Sequence, residues 1–584
     1  MENKTFYGIL PAIKNSLFLP SLFLLWVPFV YLTKPAHSQT PIPPRETPLP
    51  LPAPIPAPPP ALEIPIPTPP APETAPDSPQ TITVKAFDFQ DNTALSDEEL
   101  AELTKDYLNR PVTFADLFKV RDIITEAYIK AGYITTGAYI PPQEIDSENA
   151  TIQIEIVEGK IEEIRVSGNS KLNPNYVKSR LELATTAPLN DKKLTEGLQL
   201  LRLNPLIDNI QAELLPGSDA GRNILQVNIT EANHFNLSLK LDNNRSPSAG
   251  SLRRGATLSY NNIAGIGDNF SASYFNTDGS NQLDLSYQIP VNSRNGTVSF
   301  TYRTSDNTVI EEPFDELDIN ANYRSYELTF RQPVIQQIKN ETIQELALGL
   351  TAQWQKSQTS ILGYDAPLSP GADESGRTRI SALRFFQEWT QRNAQQVFAA
   401  RSEFSLGLGW RATVNNEPPD SRFFAWRGQA QWLRLLGENR SEPLYAPAIL
   451  LRSNAQLATR ALLPLEQFGL GGQTSVRGYR QDALLTDNGI LGSAEFWLPV
   501  VRFPRQRAVL QIVPFIDVGA GWNSSGNESP NTNTFAGVGV GLQFLMGETL
   551  RARFDWGIPL VNIDSGDKTW QENGLYFSVE YNPF

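Results

Sequence analysis

Few residues in this chain could do covalent chemistry, and their scarcity decides much. The sequence has no cysteine, which removes disulfides, thiolate metal sites and a cysteine nucleophile. It has 2 histidines, His37 and His234. A single histidine in the body of the chain rules out the usual His-rich metal sites and Ser-His-Asp arrangements. Paired carboxylates stay formally open, but with 63 acidic residues chance pairs are inevitable. No G-x-x-x-x-G-K-[ST] loop occurs, and "GVGVGLQ" (Gly537 to Gln543) lacks dinucleotide-fingerprint spacing, so those glycines read as small residues packed along a strand. One polar stretch stands out. "GGQTSVRGYR" (Gly471 to Arg480) sets two arginines among glycines, too polar for a buried strand and without helical period. An arginine fork can hold a carboxylate bidentately, most strongly where water is restricted. Gly471, Gly472 and Gly478 let such a backbone turn tightly. Alone, each arginine is an ordinary solvated loop charge.

The rest of the chain is of four textures. Lys4 and Lys14, the apolar "SLFLPSLFLLWVPFVYL" (Ser16 to Leu32) and small Ala36 and Ser38 predict a secretory signal peptide over 1–38. A retained N-terminal anchor is the alternative. Residues 39–80 are dominated by proline and predict an extended spacer or linker, with a docking motif for proline-binding modules as the lesser reading. The net charge of −14 argues against non-specific nucleic-acid binding, which needs a basic face.

Two units of like order follow. In the first, "TITVKAFDF" reads as a strand and Ser96 with Glu99 as a capping box. Leu117, Val120, Ile124 and Tyr128 form one helical stripe. "YITTGAYI" and the alternating "ATIQIEIVEG" read as strands. The second unit has a strand at "IEEIRVSG", helices after Pro174 and Asn190, and strands at "IQAELLPG" and "NILQVNITE". Both orders are β-α-α-β-β.

From 233 to 584 the period changes to two. Phe235, Leu237, Leu239 and Leu241 share one face, with polar residues between them, and "NQLDLSYQI" repeats the pattern. Asn295-Gly296 predicts a tight hairpin turn. "QKSQTSILGYDAPLSPGADESGRTR" reads as a polar insertion between strands. Alternation over this length with unequal connections predicts a transmembrane antiparallel β-barrel, of roughly 16 strands at about 22 residues each. A large soluble all-β domain is the alternative.

Together these features resemble the two-partner secretion outer-membrane transporters, the ShlB/FhaC/HecB type, of the superfamily that includes the outer-membrane insertases. The resemblance rests on "AGY" (131–133), "IPPQ" (140–143), "VEGKIEEIRVSGN" (157–169), "PLN" (188–190), "LQLLRLNP" and "AELLPG" (212–217) in the two units. In the barrel it rests on "EQFGLGGQTSVRGYR" (466–480) and "FIDVGAGW" (515–522). It implies two α+β polypeptide-transport-associated (POTRA) domains, 81–158 and 159–232, followed by the barrel at 233–584.

It also implies that the loop bearing Val476, Arg477, Gly478 and Tyr479, with Gly471 and Gly472, folds back into the lumen. There Arg477 would pair with Asp517 of the strand that carries Phe515 and Gly519. Glu495 in "LGSAEFWLPV" is a candidate lumen carboxylate beside that loop, and Arg480 reads as an ordinary loop charge. Phe584 supplies the terminal aromatic of an assembly signal, although Asn582 and Pro583 put it out of phase with Phe577, Val579 and Tyr581.

The function implied is export of a large unfolded exoprotein, hemolysin- or adhesin-like, from periplasm to exterior, with POTRA units recognising it and the Arg477 loop controlling the pore. The expected partners are that exoprotein, outer-membrane lipid and the barrel-assembly machinery, with no nucleic acid, cofactor, metal or catalytic residue. An insertase for other outer-membrane barrels is the alternative reading. A diffusion porin explains the barrel and not the two units, and a barrel enzyme lacks a base beyond His234.

Overall fold

The computed structural model describes residues 81–145, 150–437, 443–525, 528, 530–563 and 569–584. The expected signal peptide and proline-rich linker lie outside the described residues.

The first small unit runs β1 (Thr81–Gln90), α1 (Asp97–Thr104), β2 (Pro111–Thr113), α2 (Phe114–Lys130), β3 (Gly137–Tyr139) and β4 (Ala150–Val157). The capping box forms as the sequence requires: Ser96 accepts from the Glu99 amide, and the Glu99 carboxylate accepts from the Ser96 amide. Thr113 and Asp116 cap α2 in the same reciprocal way. Leu117, Val120, Ile124 and Tyr128 are all buried against a sheet ordered β2-β1-β4-β3, in which β1 and β4 run parallel.

Two readings need correction here. The three-residue β2 was not expected, because it is too short to show a period. The strand read from "YITTGAYI" shrinks to Gly137–Tyr139. Gly132, at φ +97°, ends α2, and the Tyr133 amide turns back to the Tyr128 carbonyl, so 133–136 form a turn.

The second unit is β5 (Lys160–Ser167), α3 (Pro174–Leu181), α4 (Asp191–Arg202), β6 (Ile207–Pro216) and β7 (Arg222–Glu231), with sheet order β5-β7-β6. It packs its own core, including Val177, Leu181, Leu194, Leu198 and Leu225. It also docks on the turns beneath the barrel. Lys171 Nζ donates to the Tyr260 hydroxyl at 2.6 Å and Arg180 Nε to Asn295 Oδ1 at 2.8 Å. Glu196 accepts from the Ile338 amide at 2.7 Å.

Sixteen of the remaining strands close into an antiparallel barrel, from Phe235–Asp242 to Leu575–Tyr581. Alternate residues point outward, so Phe300, Leu328, Leu350, Ile516 and Trp556 are exposed to the surroundings while charged and amide side chains fill the inside. The seam between the first and last strands is short, from Ser578↔Asp242 to Tyr581↔Leu239. Beyond it the Asn243 side chain continues the ladder, donating to the Leu575 carbonyl and accepting from the Phe577 amide.

Two further differences are local. The polar insertion is strand at both ends: Thr342–Ile361 and Arg377–Arg392 reach into it, because polar residues on both faces hide strands that rise beyond the apolar band. The Asn295-Gly296 turn is wider than two residues. Asn292 Oδ1 accepts from the Arg294 and Gly296 amides, and only Asn295 takes positive φ.

The α2 cap gives a direct test. The Thr113 amide, Lys119 and the Thr113 hydroxyl hold the Asp116 carboxyl down at about 2. Its stabilisation is therefore fully present above its ordinary value of 3.8 and is lost as pH falls through about 2. Thr113→Ala should destabilise the first turn of α2 by about 1 kcal/mol. Rate-corrected hydrogen exchange should show that turn loosening with acid in the wild type, with Asp116→Asn removing the acid step.

Candidate functional site

The loop after the strand Ala448–Ala458 lies inside the barrel, entering at the end of the barrel away from the small units. Its fold follows from its glycines. Gly471, Gly472 and Gly478 have φ of +106°, +97° and +103°, which a side chain would oppose. The short ladder Phe468–Leu470 with Leu484–Thr486 closes the base, and Arg477 stands at the tip.

Arg477 and Asp517 meet. Arg477 Nε lies 2.7 Å from Asp517 Oδ2, Nη2 lies 2.8 Å from Oδ1, and the Arg477 amide adds a third bond at 3.1 Å. Both side chains are fully buried. The guanidinium also lies over the Phe515 ring, 3.4 Å from its centroid. Glu495 joins the same group: Arg477 Nη1 donates to its Oε1 at 2.8 Å.

The sequence reading missed the rest of this cluster. Arg553 reaches both Glu495 oxygens at 3.0 Å and Asp555 at 2.8 Å, while Arg452 reaches Glu495 at 3.1 Å. Three arginines thus face three carboxylates, Glu495, Asp517 and Asp555, and the charges balance. A signal for two of them was present. In "RARFDWGIP" the outward Phe554, Trp556 and Ile558 force Arg553 and Asp555 inward by the strand's period of two.

The wall is shaped for the tip. A Cβ on Gly537 would sit 2.1 Å from the Arg477 carbonyl oxygen, and one on Gly557 would sit 2.6 Å from the Gly478 amide nitrogen. Val476 is buried over Gly519, where a Cβ would come within 3.1 Å of its methyl. Tyr479 stacks on Phe535 at 4.5 Å, and its hydroxyl bonds the carbonyls of Ala536 and Val561. Tyr576 accepts from the Gly478 amide and donates to the Tyr479 carbonyl.

Arg480 is not the ordinary loop charge it resembled. It is mostly buried and ties two outer loops, with Nη2 2.8 Å from Glu311 and Nη1 3.1 Å from Glu572. Its partners lie 169 and 92 residues away, beyond any local pattern. Phe584 is well exposed at the opposite rim and packs edge-on to Phe235 at 5.9 Å. His234 sits at the junction with the second unit, 3.0 Å from Glu231.

Because the chain has no cysteine, a single introduced thiol reports cleanly on the loop. Ser475→Cys, at a site only 7% exposed, should resist a membrane-impermeant maleimide. Adding Gly537→Val should expel the tip and raise labelling at least several-fold. Unchanged labelling would show that the wall does not hold the tip.

Comparison with known proteins fits this architecture. Residues 221–544 match the model of the haemolysin secretion/activation protein ShlB/FhaC/HecB, and 82–159 that of the ShlB-type POTRA domain. The chain is 24% identical over 516 residues to the heme/hemopexin transporter protein HuxB of Haemophilus influenzae, covering 82% of this chain and 84% of that one. It is 22% identical over 475 residues to the outer membrane transporter CdiB of Dickeya dadantii, covering 78% and 80%. The solved structure of CdiB from Escherichia coli has the same fold, with a TM-score of 0.64 at 21% identity over 88% of this chain and 92% of that one. A family match across more than half the chain, on a POTRA-and-barrel fold, gives its identity: the chain belongs to the ShlB/FhaC/HecB haemolysin secretion/activation family, outer-membrane transporters of two-partner secretion with their POTRA domains in the periplasm.

Proposed function

We propose that this transporter exports one dedicated large exoprotein, hemolysin- or adhesin-like, as an unfolded chain, and that the Arg477 loop sets whether the pore is open. The observation that carries this reading is a lumen crossed by the barrel's own loop, held at its tip by ion pairs and hydrogen bonds. Such contacts are strong in a dry site yet can be exchanged for others, as a gate requires. In this reading the chain divides into a leader (1–38), a linker (39–80), two POTRA units (81–158 and 159–232) and the pore (233–584). No nucleotide drives the passage, and folding outside the cell biases its direction.

The POTRA units receive the cargo by β-augmentation, in which backbone bonds bind an extended chain with loose sequence demands. The edges are unequal. In the first unit the edge strands β2 and β3 have three residues each, whereas in the second β5 has 8 and β6 has 10. The second unit therefore offers the longer template, directly beneath the barrel. Phe584 serves the barrel-assembly machinery during insertion, and the outward apolar face meets outer-membrane lipid.

Arg477→Ala leaves Asp517 buried without its cation and costs about 3–5 kcal/mol at the lock, the usual scale for breaking a buried pair. The barrel should still insert, and export should fall, because without the guanidinium the tip can neither re-form the lock nor make the contacts exchanged for it when the gate opens. Exchanging the charges as Arg477→Asp with Asp517→Arg should recover only part of the loss, because an aspartate at 477 would face Glu495. Quantitative proteomes of medium and outer membrane, from the wild type, a deletion strain and Arg477→Ala, test the whole reading. Selective loss of one or two large exported proteins in both mutants is expected. A broad fall of other barrels would make the protein an insertase, and no change in either fraction would make it a porin.

A further inference from the structure

A cavity of about 250 Å³ lies between the inward loop and the barrel wall, lined from Lys240 round to Leu491. Six cations line it: Lys240, Arg245, Arg253, Arg303, Arg384 and Arg427. Two carboxylates do, Glu466 and Asp482, and Glu466 is already engaged by Arg384 at 2.7 Å. This positive concentration sits inside a chain whose net charge is −14. Such walls focus a field on whatever occupies the space.

Arg245 is the sharpest feature. It belongs to the first outer loop, is only 6% exposed, and its guanidinium bonds neutral partners, Asn307 Oδ1 at 2.7 Å and Ser280 Oγ at 3.5 Å. Among the described residues no carboxylate forms an ion pair with it. By contrast Arg253 holds Asp242 at 2.9 Å and Arg303 holds Glu327 at 3.3 Å. Asp482, on the wall of the same cavity, acts on Arg245 only from beyond ion-pair distance. A buried guanidinium whose hydrogen bonds go to neutral groups is costly, and an incoming anion relieves that cost. The Arg477 cluster next door shows the balanced alternative, with each arginine matched to a carboxylate.

We propose that this cavity is a carboxylate-binding site for Asp and Glu side chains of a polypeptide in the pore. The volume suits side chains rather than a folded unit, and its place in the lumen keeps lipid headgroups away. The proposal rests on the export reading for its biological ligand. Two sources of the same chemistry are available: the cargo in transit, and Glu46, Glu63, Glu73 and Asp77 in this chain's own proline-rich segment.

The test uses the purified full chain in planar bilayers, with a Glu-rich and a Lys-rich peptide of equal length added to the periplasmic side. The Glu-rich peptide should interrupt the current at a concentration at least about tenfold lower, a difference typical of one added ion-pair contact in a restricted site. Arg245→Gln should abolish that advantage and Arg245→Lys should keep it. Heat-modified gel mobility checks insertion. Lys240→Gln, on the wall of the same cavity, provides a second variant with a smaller expected loss.

The full-chain variant Glu46→Gln, Glu63→Gln, Glu73→Gln, Asp77→Asn separates the sources. Stronger acidic block in that variant places the native ligand in the chain's own segment, and equal block places it in the cargo. Equal potency of the two peptides in the wild type, or acidic selectivity untouched by Arg245→Gln, would overturn the site. Either result would leave export itself standing, because the proteome comparison tests that separately.

Discussion

A guanidinium buried inside a protein must be matched almost atom by atom, and the organisation of this lumen follows from matching Arg477. Asp517 takes its fork, Glu495 takes its third nitrogen, and Phe515 covers its face. Glu495 is in turn shared with Arg452 and Arg553, so the cluster closes at equal numbers of positive and negative groups. Removing water from these charges is expensive, and only geometry this complete offsets it. The glycines at 519, 537 and 557 are part of that geometry, since they let the loop backbone approach the wall closely enough for the fork to reach.

The same constraint links the lock to the barrel's outer mouth. Arg480 follows Arg477 by three residues and holds Glu311 and Glu572 on two outer loops. The next residue, Gln481, donates its amide to Gln571, whose own amide group holds the carbonyls of Asn243 and Arg245 beside the seam. Loop tip, outer loops and seam are thus joined by a chain of polar contacts. Packed polar networks of this kind have discrete arrangements rather than a continuum. A loop that leaves the wall must also release the mouth, which gives a gate a reason to act as one body.

Much of this could be read from the residues, and the misses have physical causes. The period of two foretold the barrel, and the length of that region its strand number. The Ser96–Glu99 capping box and the stripe through Tyr128 foretold the helices of the first unit. Arg477, Asp517, Glu495 and the loop glycines came from motif resemblance, and the structure places them together. Arg553 and Asp555 were legible from their outward neighbours and were passed over. Arg480 was not legible, because its partners are set by the closure of the barrel and not by spacing. The strands hidden in the polar insertion were missed because residues beyond the apolar band carry no face contrast.

The central claim is that export requires the loop tip to leave the wall. Val476 and Gly519 stand close enough for a tether, since a Cβ on Gly519 would lie 3.1 Å from a Val476 methyl. Paired thiols at that spacing are within reach of a disulfide, and the chain has no other cysteine to compete. The measurement is export by Val476→Cys with Gly519→Cys, oxidised and then reduced, at equal barrel abundance. The account predicts that oxidation stops export and that reduction restores it. Export at the wild-type rate with the tether closed would contradict it.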